Sequence, residues 1–273
     1  MTAPSIAPLP PAPPLSWRTW AAMFARLLAV QGAWNYELML GTGIGFAAEP
    51  ALRSLPGGPT GEAYHAALAR QSRYFNAHPY LAAVAVGALA RAELAGQPPA
   101  QIERLRTAMC GPLGSVGDRL VWAGWLPCCS LTALLAYGLG AGAVTVVALF
   151  LVLYNAGHIG LRAWGLRVGW RNGLRVAAVL ANPVLRQGPQ YIARAVMLLA
   201  GAAIPLAMRR ALAGVHLASS LNVVPTPVGR TPVVTLLAAA VLGAALVWLH
   251  GRVEGWRGAA LILAALIIFS VVR

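Results

Sequence analysis

Residues 120–161 read LVWAGWLPCCSLTALLAYGLGAGAVTVVALFLVLYNAGHIGL, and this stretch decides the fold class. None of its 42 residues is Asp, Glu, Arg or Lys. As a single helix it would extend roughly 63 Å, about twice the ~30 Å hydrocarbon core of a bilayer. Gly138, Gly140 and Gly142 mark the point where we expect the chain to fold back. The stretch therefore predicts two membrane crossings or a deep helical hairpin.

The composition of the whole chain agrees with a membrane protein. Of its 273 residues, 59% are hydrophobic and 10% are charged, whereas soluble domains carry about 25% charged residues. The net charge is +14, and all 21 basic residues are Arg. The arginines cluster between apolar runs, which favours contact with cytoplasm and anionic lipid headgroups over nucleic acid. Four of them follow the long apolar run and predict a cytoplasmic loop: Arg162, Arg167, Arg171 and Arg175.

The pattern along the chain predicts an all-α integral membrane protein with interfacial amphipathic helices, broken or re-entrant helical hairpins and C-terminal transmembrane spans. We expect a proline-rich tail at 1–15, a helical membrane core at 16–210, a linker at 211–230 and the C-terminal spans within 231–273. The two spans are expected at 231–251 and 258–272. The tail lacks the apolar segment of a signal peptide, so insertion is expected to depend on the spans themselves.

The first predicted helix begins after Ser16, a good N-cap residue, and should lie at the membrane interface. Its apolar face keeps a helical period as far as Leu38. Gln31 and Asn35 continue this apolar face, so each amide either bonds to neighbouring backbone or lines a polar site. The glycines that follow are expected to end the helix: Gly41, Gly43 and Gly45.

Two further helices are predicted before the long apolar stretch. The second begins at about Gly61, with Arg70 and Arg73 turned away from its apolar face. Pro79 is expected to open the third helix, 80–95, which should end at Gly96. This third helix is too short and too charged for a simple span, so we expect it to be buried against a partner protein.

The sequence offers no motif for catalysis. It contains no zinc-protease motif, no phosphate-binding P-loop and no nucleophile elbow. The three cysteines do not form a CxxC pair and are expected to be inert thiols: Cys110, Cys128 and Cys129. We therefore expect no catalytic residue, no metal and no cofactor in this chain.

Asp118 is the only aspartate, and it stands at the mouth of the long apolar run. The preceding segment, GPLGSVG at 111–117, predicts an irregular backbone because it holds three glycines and a proline. Irregular backbone in a membrane persists only where protein or water satisfies it. Asp118 is therefore either part of a binding site or a cap for the following helix.

Three segments in this order resemble the IID subunit of the mannose/fructose/sorbose family of the bacterial sugar phosphotransferase system. They are QGAWNYE at 31–37, YFNAHPY at 74–80 and GPLGSVGD at 111–118. Tyr154-Asn155 and the segment 164–173 extend the similarity, which runs from about Trp17 to Gly173. The C-terminal spans match the family in character.

The resemblance implies a non-catalytic, multi-pass subunit of the bacterial cytoplasmic (inner) membrane, without a cofactor. It implies pairing with a IIC subunit, assembly of such pairs as a trimer, and transport of a hexose while soluble IIA and IIB proteins carry the phosphoryl group. By position it also implies a set of hexose-binding residues: Glu37, Asn76, His78 and Asp118. Gln31, Asn35 and Ser115 are implied as supporting residues. Carboxylates, amides and imidazoles are groups that hydrogen-bond sugar hydroxyls.

Two other functions stay open at this point. The chain could be a regulatory or sensory membrane component that keeps the fold without transporting, or a structural multispanning protein. Arg119 stands where the family usually has Pro or Ser after the aspartate. Genes for IIA, IIB and IIC beside this one would favour transport, and the absence of a IIC gene would favour the regulatory function.

Overall fold

The computed structural model describes residues 14–175 and 181–220. Helices account for most of this part. Their order is α1 (Trp17–Leu28), α2 (Gly41–Leu52), a 3₁₀ turn (Gly58–Thr60), α3 (Glu62–Gln71), α4 (Ala82–Leu94), α5 (Pro99–Gly117), a π-helical segment (Asp118–Trp125), α6 (Leu126–Gly138), α7 (Ala143–Asn172), α8 (Pro183–Arg186) and α9 (Gly188–Ser220). Three helical stretches are long and apolar enough to cross a membrane: Pro99–Gly138, Ala143–Asn172 and Gly188–Ala213. The predicted all-α membrane fold is confirmed.

The chain divides into two compact units, Met1–Ala207 and Met208–Arg273. The first unit holds α1 to α8 and the greater part of α9. In the second unit, residues 208–220 continue α9, so the predicted linker at 211–230 begins as helix. The predicted spans at 231–251 and 258–272, and most of the proline-rich tail, lie outside the described residues.

The first helix begins as predicted but is shorter. The Ser16 hydroxyl accepts a hydrogen bond from the Thr19 amide at 3.1 Å, which caps α1. The helix ends at Leu28, and the predicted continuation to Leu38 is wrong. Further along, Asn35 opposes a helix at 35–38, because its Oδ1 accepts the amides of Glu37 and Leu38 at 3.0 and 2.8 Å. This local turn competes with helix, and the Asn35 amide bonds to neighbouring backbone.

The glycines at 41, 43 and 45 begin α2 and do not end the preceding helix, so that prediction is wrong. A Cβ at Gly43 would collide with the backbone of Val30, and one at Gly41 would collide with the backbone of Arg73. These glycines therefore allow backbones to approach each other closely. Glycine serves turns and close packing equally well, which is why the sequence alone misassigned them.

The fourth helix, α4, lies at the centre of the first unit. Every residue from Ala82 to Glu93 is buried, and α4 packs against α7, α2 and α5. The expectation that this helix needs a partner protein is wrong, because this chain covers it. Six alanines and Gly87 give α4 a narrow surface, so neighbouring helices pack tightly around it. Gly96, with φ of 64°, ends the helix as predicted.

Charged side chains near α4 are neutralised inside the chain. Arg70 of α3, predicted to turn away from the apolar face of its helix, donates two hydrogen bonds to Glu93, from Nε at 2.8 Å and from NH2 at 2.9 Å. Arg91 donates to the carbonyls of Trp170 and Arg171 at 2.9 and 2.6 Å. A single chain can therefore bury a helix that carries both an arginine and a glutamate.

The segment 111–117 is helical, so the predicted irregular backbone is wrong. α5 runs through Gly117, and a π-helical segment continues directly into α6. Gly117 faces His78 so closely that a Cβ at 117 would collide with the Cβ of His78. Gly117 thus serves close packing, and the departure from regular α-helix begins one residue later, at Asp118.

The fold-back of the long apolar stretch occurs where the sequence predicted it. α6 ends at Gly138 and α7 begins at Ala143. Gly140 has φ of 110°, a backbone conformation that favours glycine. α7 then continues to Asn172, so Arg162, Arg167 and Arg171 lie within a helix, and the predicted loop is wrong for these three arginines.

Candidate functional site

The segment Phe75–Pro79 brings together the three sequence segments on which the family resemblance rests. On one side, the Leu40 amide donates to the Phe75 carbonyl at 2.9 Å and the Phe75 amide donates to the Leu38 carbonyl at 3.2 Å. On the other side, the His78 amide donates to the Leu113 carbonyl at 3.4 Å. The segments at 74–80 and 111–118 therefore adjoin at backbone level, and the first segment, 31–37, reaches them through the residues that directly follow it, Leu38 to Leu40.

Most of the predicted hexose-binding side chains are exposed. Glu37, Asn76 and Asp118 all lie on the surface of the chain, and His78 is buried beneath with 1% exposure. Among the supporting residues, Gln31, Asn35 and Ser115 are also exposed. Gln31 therefore carries no burial cost, and the Ser115 hydroxyl reaches only the nearby Pro112 carbonyl, at 3.5 Å.

Asp118 does not cap a helix. Gly117 and Asp118 both have right-handed helical backbone angles, and the chain passes through them without a break. Of the two roles that the sequence left open, the capping role is therefore wrong, and the Asp118 side chain is exposed.

Arg106 positions the central segment, and sequence reasoning missed it. Its guanidinium is 2% exposed. NH2 donates to the carbonyls of Arg73 and Tyr74 at 2.8 and 3.3 Å, and NH1 donates to Gln71 Oε1 at 2.8 Å. The group also lies over the ring of Phe75, with 5.3 Å between Cζ and the ring centroid. Because these partners are 32–35 residues away, no local pattern could indicate them.

A cluster of aromatic and basic side chains lies behind His78, between α4, the π-helical segment and α7. Its members are His78, Tyr80, Trp122, Tyr154, His158 and Arg162. The hydroxyls of Tyr80 and Tyr154 are 2.6 Å apart. The Arg162 guanidinium lies over the Tyr80 ring at 4.5 Å and is 2% exposed. Within the described residues, Arg162 has no carboxylate within 4.0 Å.

Several nitrogen atoms of this region are buried without a hydrogen-bond partner among the described residues. They are His78 Nε2, His158 Nδ1, Trp125 Nε1, and Nε and NH1 of Arg162. Buried polar atoms are normally paired, so this cluster is chemically suited to receive acceptor oxygens. A cavity of about 340 Å³ adjoins it and is lined largely by apolar side chains, with Tyr80 shared between cavity and cluster.

The environment of His78 keeps its imidazole neutral. Burial, followed by the positive charge of Arg162, lowers the pKa of His78 from 6.5 to about 4. The neutral ring can then accept at Nδ1 the hydrogen bond that the Tyr80 amide donates at 3.2 Å. Burial and the hydrogen bond with Tyr154 also raise the pKa of Tyr80, so its hydroxyl stays protonated at neutral pH.

The lowered pKa of His78 predicts that the fold weakens in mild acid. Between pH 6.5 and about 4 the unfolded chain binds a proton at this position and the folded chain does not, so stability falls as pH falls. From pH 7 to pH 5 the loss should be about 2 kcal/mol. Thermal unfolding in a mild detergent measures stability at both pH values. The loss of stability from pH 7 to pH 5 should be smaller for His78→Gln than for wild type. His65 is exposed, and His65→Gln serves as the control that should lose as much stability as wild type. Equal losses of stability in wild type and both variants would contradict the assignment of the acid effect to His78.

The described residues offer no evident metal centre. In residues 14–175 and 181–220, no group of three or more His, Cys, Asp or Glu side chains is placed to hold an ion. Cys110, Cys128 and Cys129 are free thiols, and Cys129 is buried.

Long apolar helices packed around buried polar side chains define a helical integral membrane protein. The sequence family is equally clear. The chain belongs to the mannose/fructose/sorbose family of IID components of the phosphotransferase system (PTS), whose family model matches residues 14–225.

Characterised relatives support this membership. The chain is 29% identical over 171 residues to the mannose-specific EIID component of Escherichia coli (strain K12), covering 60% of this chain and 59% of that protein. It is 30% identical over 172 residues to the sorbose-specific EIID component of Klebsiella pneumoniae, covering 61% of each. It is 31% identical over 167 residues to the fructose permease IID component of Bacillus subtilis (strain 168), covering 59% of each. The matched part thus spans about three-fifths of these relatives.

Two solved structures have a similar fold. One is described as a membrane protein, with a TM-score of 0.59, 25% identity and 70% coverage of both chains. The other is a chain from the complex of the mannose transporter ManYZ with microcin E492, with a TM-score of 0.52 and 21% identity. This second match covers 94% of this chain and 96% of the other.

Proposed function

We propose that this chain is the IID subunit of a PTS hexose permease and acts with a IIC subunit to translocate the sugar. The family match over residues 14–225 is the observation that carries the proposal. In this proposal the chain is non-catalytic, sits in the bacterial cytoplasmic membrane as part of a trimer of IIC–IID pairs, and depends on IIA and IIB proteins for phosphoryl transfer. The exposed arginines at the end of α7 face the cytoplasm.

The hexose contacts the chain where the three adjoining segments expose polar side chains. Glu37, Asn76 and Asp118 offer two carboxylates and an amide, which suit sugar hydroxyls. They are exposed in this chain, so the proposal requires the IIC subunit to cover them and exclude water. His78 is buried beneath these exposed side chains. It supports them through its contact with Gly117 and by accepting the hydrogen bond that the Tyr80 amide donates.

Co-purification and uptake test the function. The chain is tagged in its native host, extracted in a mild detergent, and the co-purifying membrane proteins are identified. A IIC-type subunit should be recovered, and deleting the gene for this chain should abolish uptake of at least one radiolabelled hexose. Unchanged uptake of every hexose tested would contradict the permease function. If the expression of transport genes changed at the same time, the result would support the regulatory function.

Asp118→Asn tests the binding site. The substitution keeps the shape of the side chain and removes its charge. Hydrogen bonds to a charged group contribute about 1.5–3 kcal/mol against roughly 1 kcal/mol for neutral ones, so hexose affinity should fall on the order of tenfold. Isothermal titration of the purified IIC–IID complex measures this change. Asp118→Ala should weaken binding further, and Asn76→Ala should act in the same direction.

The matched control for this series is Glu62→Gln, because Glu62 is also an exposed carboxylate but begins α3, outside the three segments. It should leave hexose affinity unchanged. An Asp118→Asn complex that binds hexose as tightly as wild type would remove Asp118 from the site.

A further inference from the structure

A groove of about 680 Å³ runs along the surface between α1 and α7. Its walls are mainly aromatic and aliphatic, and they include Trp17, Trp20, Phe24 and Trp170. The rings of Trp20 and Trp170 meet edge to face, with 5.6 Å between their centroids. Trp170 is nearly buried, whereas Trp17 is 75% exposed. The groove therefore has a fixed aromatic floor and an open aromatic edge.

Two arginines complete the lining of the groove. Arg167 and Arg171 both belong to α7 and line the groove. They are four residues apart, so they share one face of the helix. Both side chains are exposed. Within the described part of the chain neither guanidinium has a carboxylate within 4.0 Å, and no acidic residue lines the groove.

The chemistry of this groove matches one class of ligand. An apolar trough suits an acyl chain, and tryptophans are favoured at the level where acyl chains meet headgroups. Two guanidinium groups one helical turn apart suit a phosphate, to which arginine donates charge-assisted hydrogen bonds. A neutral apolar ligand or an apolar helix would leave both arginines without a partner. The net charge of +14 for the whole chain favours an anionic ligand over a zwitterionic one.

We propose that the groove between α1 and α7 binds one anionic phospholipid. Its acyl chain lies against Trp17, Trp20 and Phe24, and its phosphate is held by Arg167 and Arg171. The lipid fastens the amphipathic helix α1 to the membrane-spanning helix α7, and it does so independently of which sugar the protein takes.

Tryptophan quenching by brominated lipids tests the proposal, because bromine on an acyl chain quenches an indole that it touches. The full-length protein, with any subunit that co-purifies, is placed in phosphatidylcholine nanodiscs. These contain a small fraction of brominated phosphatidylglycerol or, in parallel, brominated phosphatidylcholine. Phosphatidylglycerol should quench at concentrations on the order of tenfold lower, since each arginine near the surface favours an anionic lipid. Trp20→Phe should remove most of the difference between the two lipids.

Two double variants with the same change in charge separate the groove from general electrostatics. Arg167→Gln/Arg171→Gln should bring the quenching by phosphatidylglycerol to the level of phosphatidylcholine. Arg175→Gln/Arg186→Gln removes two exposed arginines outside the groove and should keep the preference. The proposal would be overturned if both double variants lost the preference for phosphatidylglycerol equally. It would also be overturned if Arg167→Gln/Arg171→Gln kept that preference. Absence of quenching by either lipid would also overturn it, because the groove would then be covered by protein.

Discussion

Gly169→Ala should destabilise the protein by about 3 kcal/mol, although it adds a single methyl group. A Cβ at this position would collide with the carbonyl oxygen of Val84 and would lie 2.9 Å from the Val84 carbonyl carbon and 3.0 Å from the Ala88 amide nitrogen. All three are backbone atoms of α4, so no side-chain rotation can make room. The two helices would have to separate along the contact that buries α4.

The contact is equally close from the other side. A Cβ at Gly87 of α4 would lie 2.7 Å from the Trp170 amide nitrogen and would collide with the Leu166 carbonyl oxygen. Gly165 and Gly169 are four residues apart on α7, the small-residue spacing that lets helices approach in membranes. Small residues therefore face each other on both helices, and substitution on either one should have a comparable cost.

Gly160→Ala is the matched control for Gly169→Ala. Gly160 lies on the same helix, and a Cβ there would have no atom within 4 Å among the described residues. Its replacement should be neutral or stabilising by less than about 1 kcal/mol. Thermal unfolding in a mild detergent, followed by tryptophan fluorescence, should show a large drop in midpoint for Gly169→Ala only. Equal midpoints for the two variants would mean that α4 and α7 leave room for a methyl group at position 169.

Glu93→Gln should cost about 3 kcal/mol, because breaking a buried ion pair from one side leaves the other charge uncompensated. Glu93 is 6% exposed and accepts both hydrogen bonds from Arg70 as well as one from Gln71 Nε2 at 2.6 Å. A glutamine here would turn an N–H group towards one of these donors. Gln71 in turn accepts from Arg106, so the disturbance should reach the segment that carries Asn76 and His78.

Thermal unfolding again provides the measurement, with the exposed Glu62→Gln as a control that should match wild type. The double variant Arg70→Met/Glu93→Met should recover much of the lost stability, because apolar side chains can replace a buried ion pair without leaving an unpaired charge. A Glu93→Gln midpoint close to that of wild type would show that Arg70 finds another partner or water.

Features with local causes could be predicted from the sequence. The Ser16 cap, the start of α3 after Gly61, the end of α4 at Gly96 and the fold-back after Gly138 each follow from a few neighbouring residues. Gly41, Gly43, Gly45 and Gly117 were misassigned because a turn and a close contact require the same residue. Which of the two applies depends on a partner elsewhere in the chain.

The candidate site, too, could be predicted only in part from the sequence. The family resemblance pointed to three segments, and the structure joins the second to the third and to the residues that follow the first, but the sequence could not tell which of their side chains are exposed. The buried partners were missed because they lie far apart along the chain. Tyr154 meets Tyr80 across 74 residues, and Arg162 looked like one more arginine of a cytoplasmic loop. Only the packing of α4 on α7 reveals that it lies over an aromatic ring.

The covering of α4 by α7 also has a consequence for biosynthesis. Arg91 donates to carbonyls that are 79 and 80 residues further along the chain. At roughly 5–20 residues per second, translation needs about 4–16 seconds to cover that distance. During this time the helix has been made while its main neighbour has not, and its surface must be shielded by the translocation machinery, a chaperone or lipid. A messenger truncated before the codons of α7 would therefore direct synthesis of a polypeptide unable to complete this part of its fold.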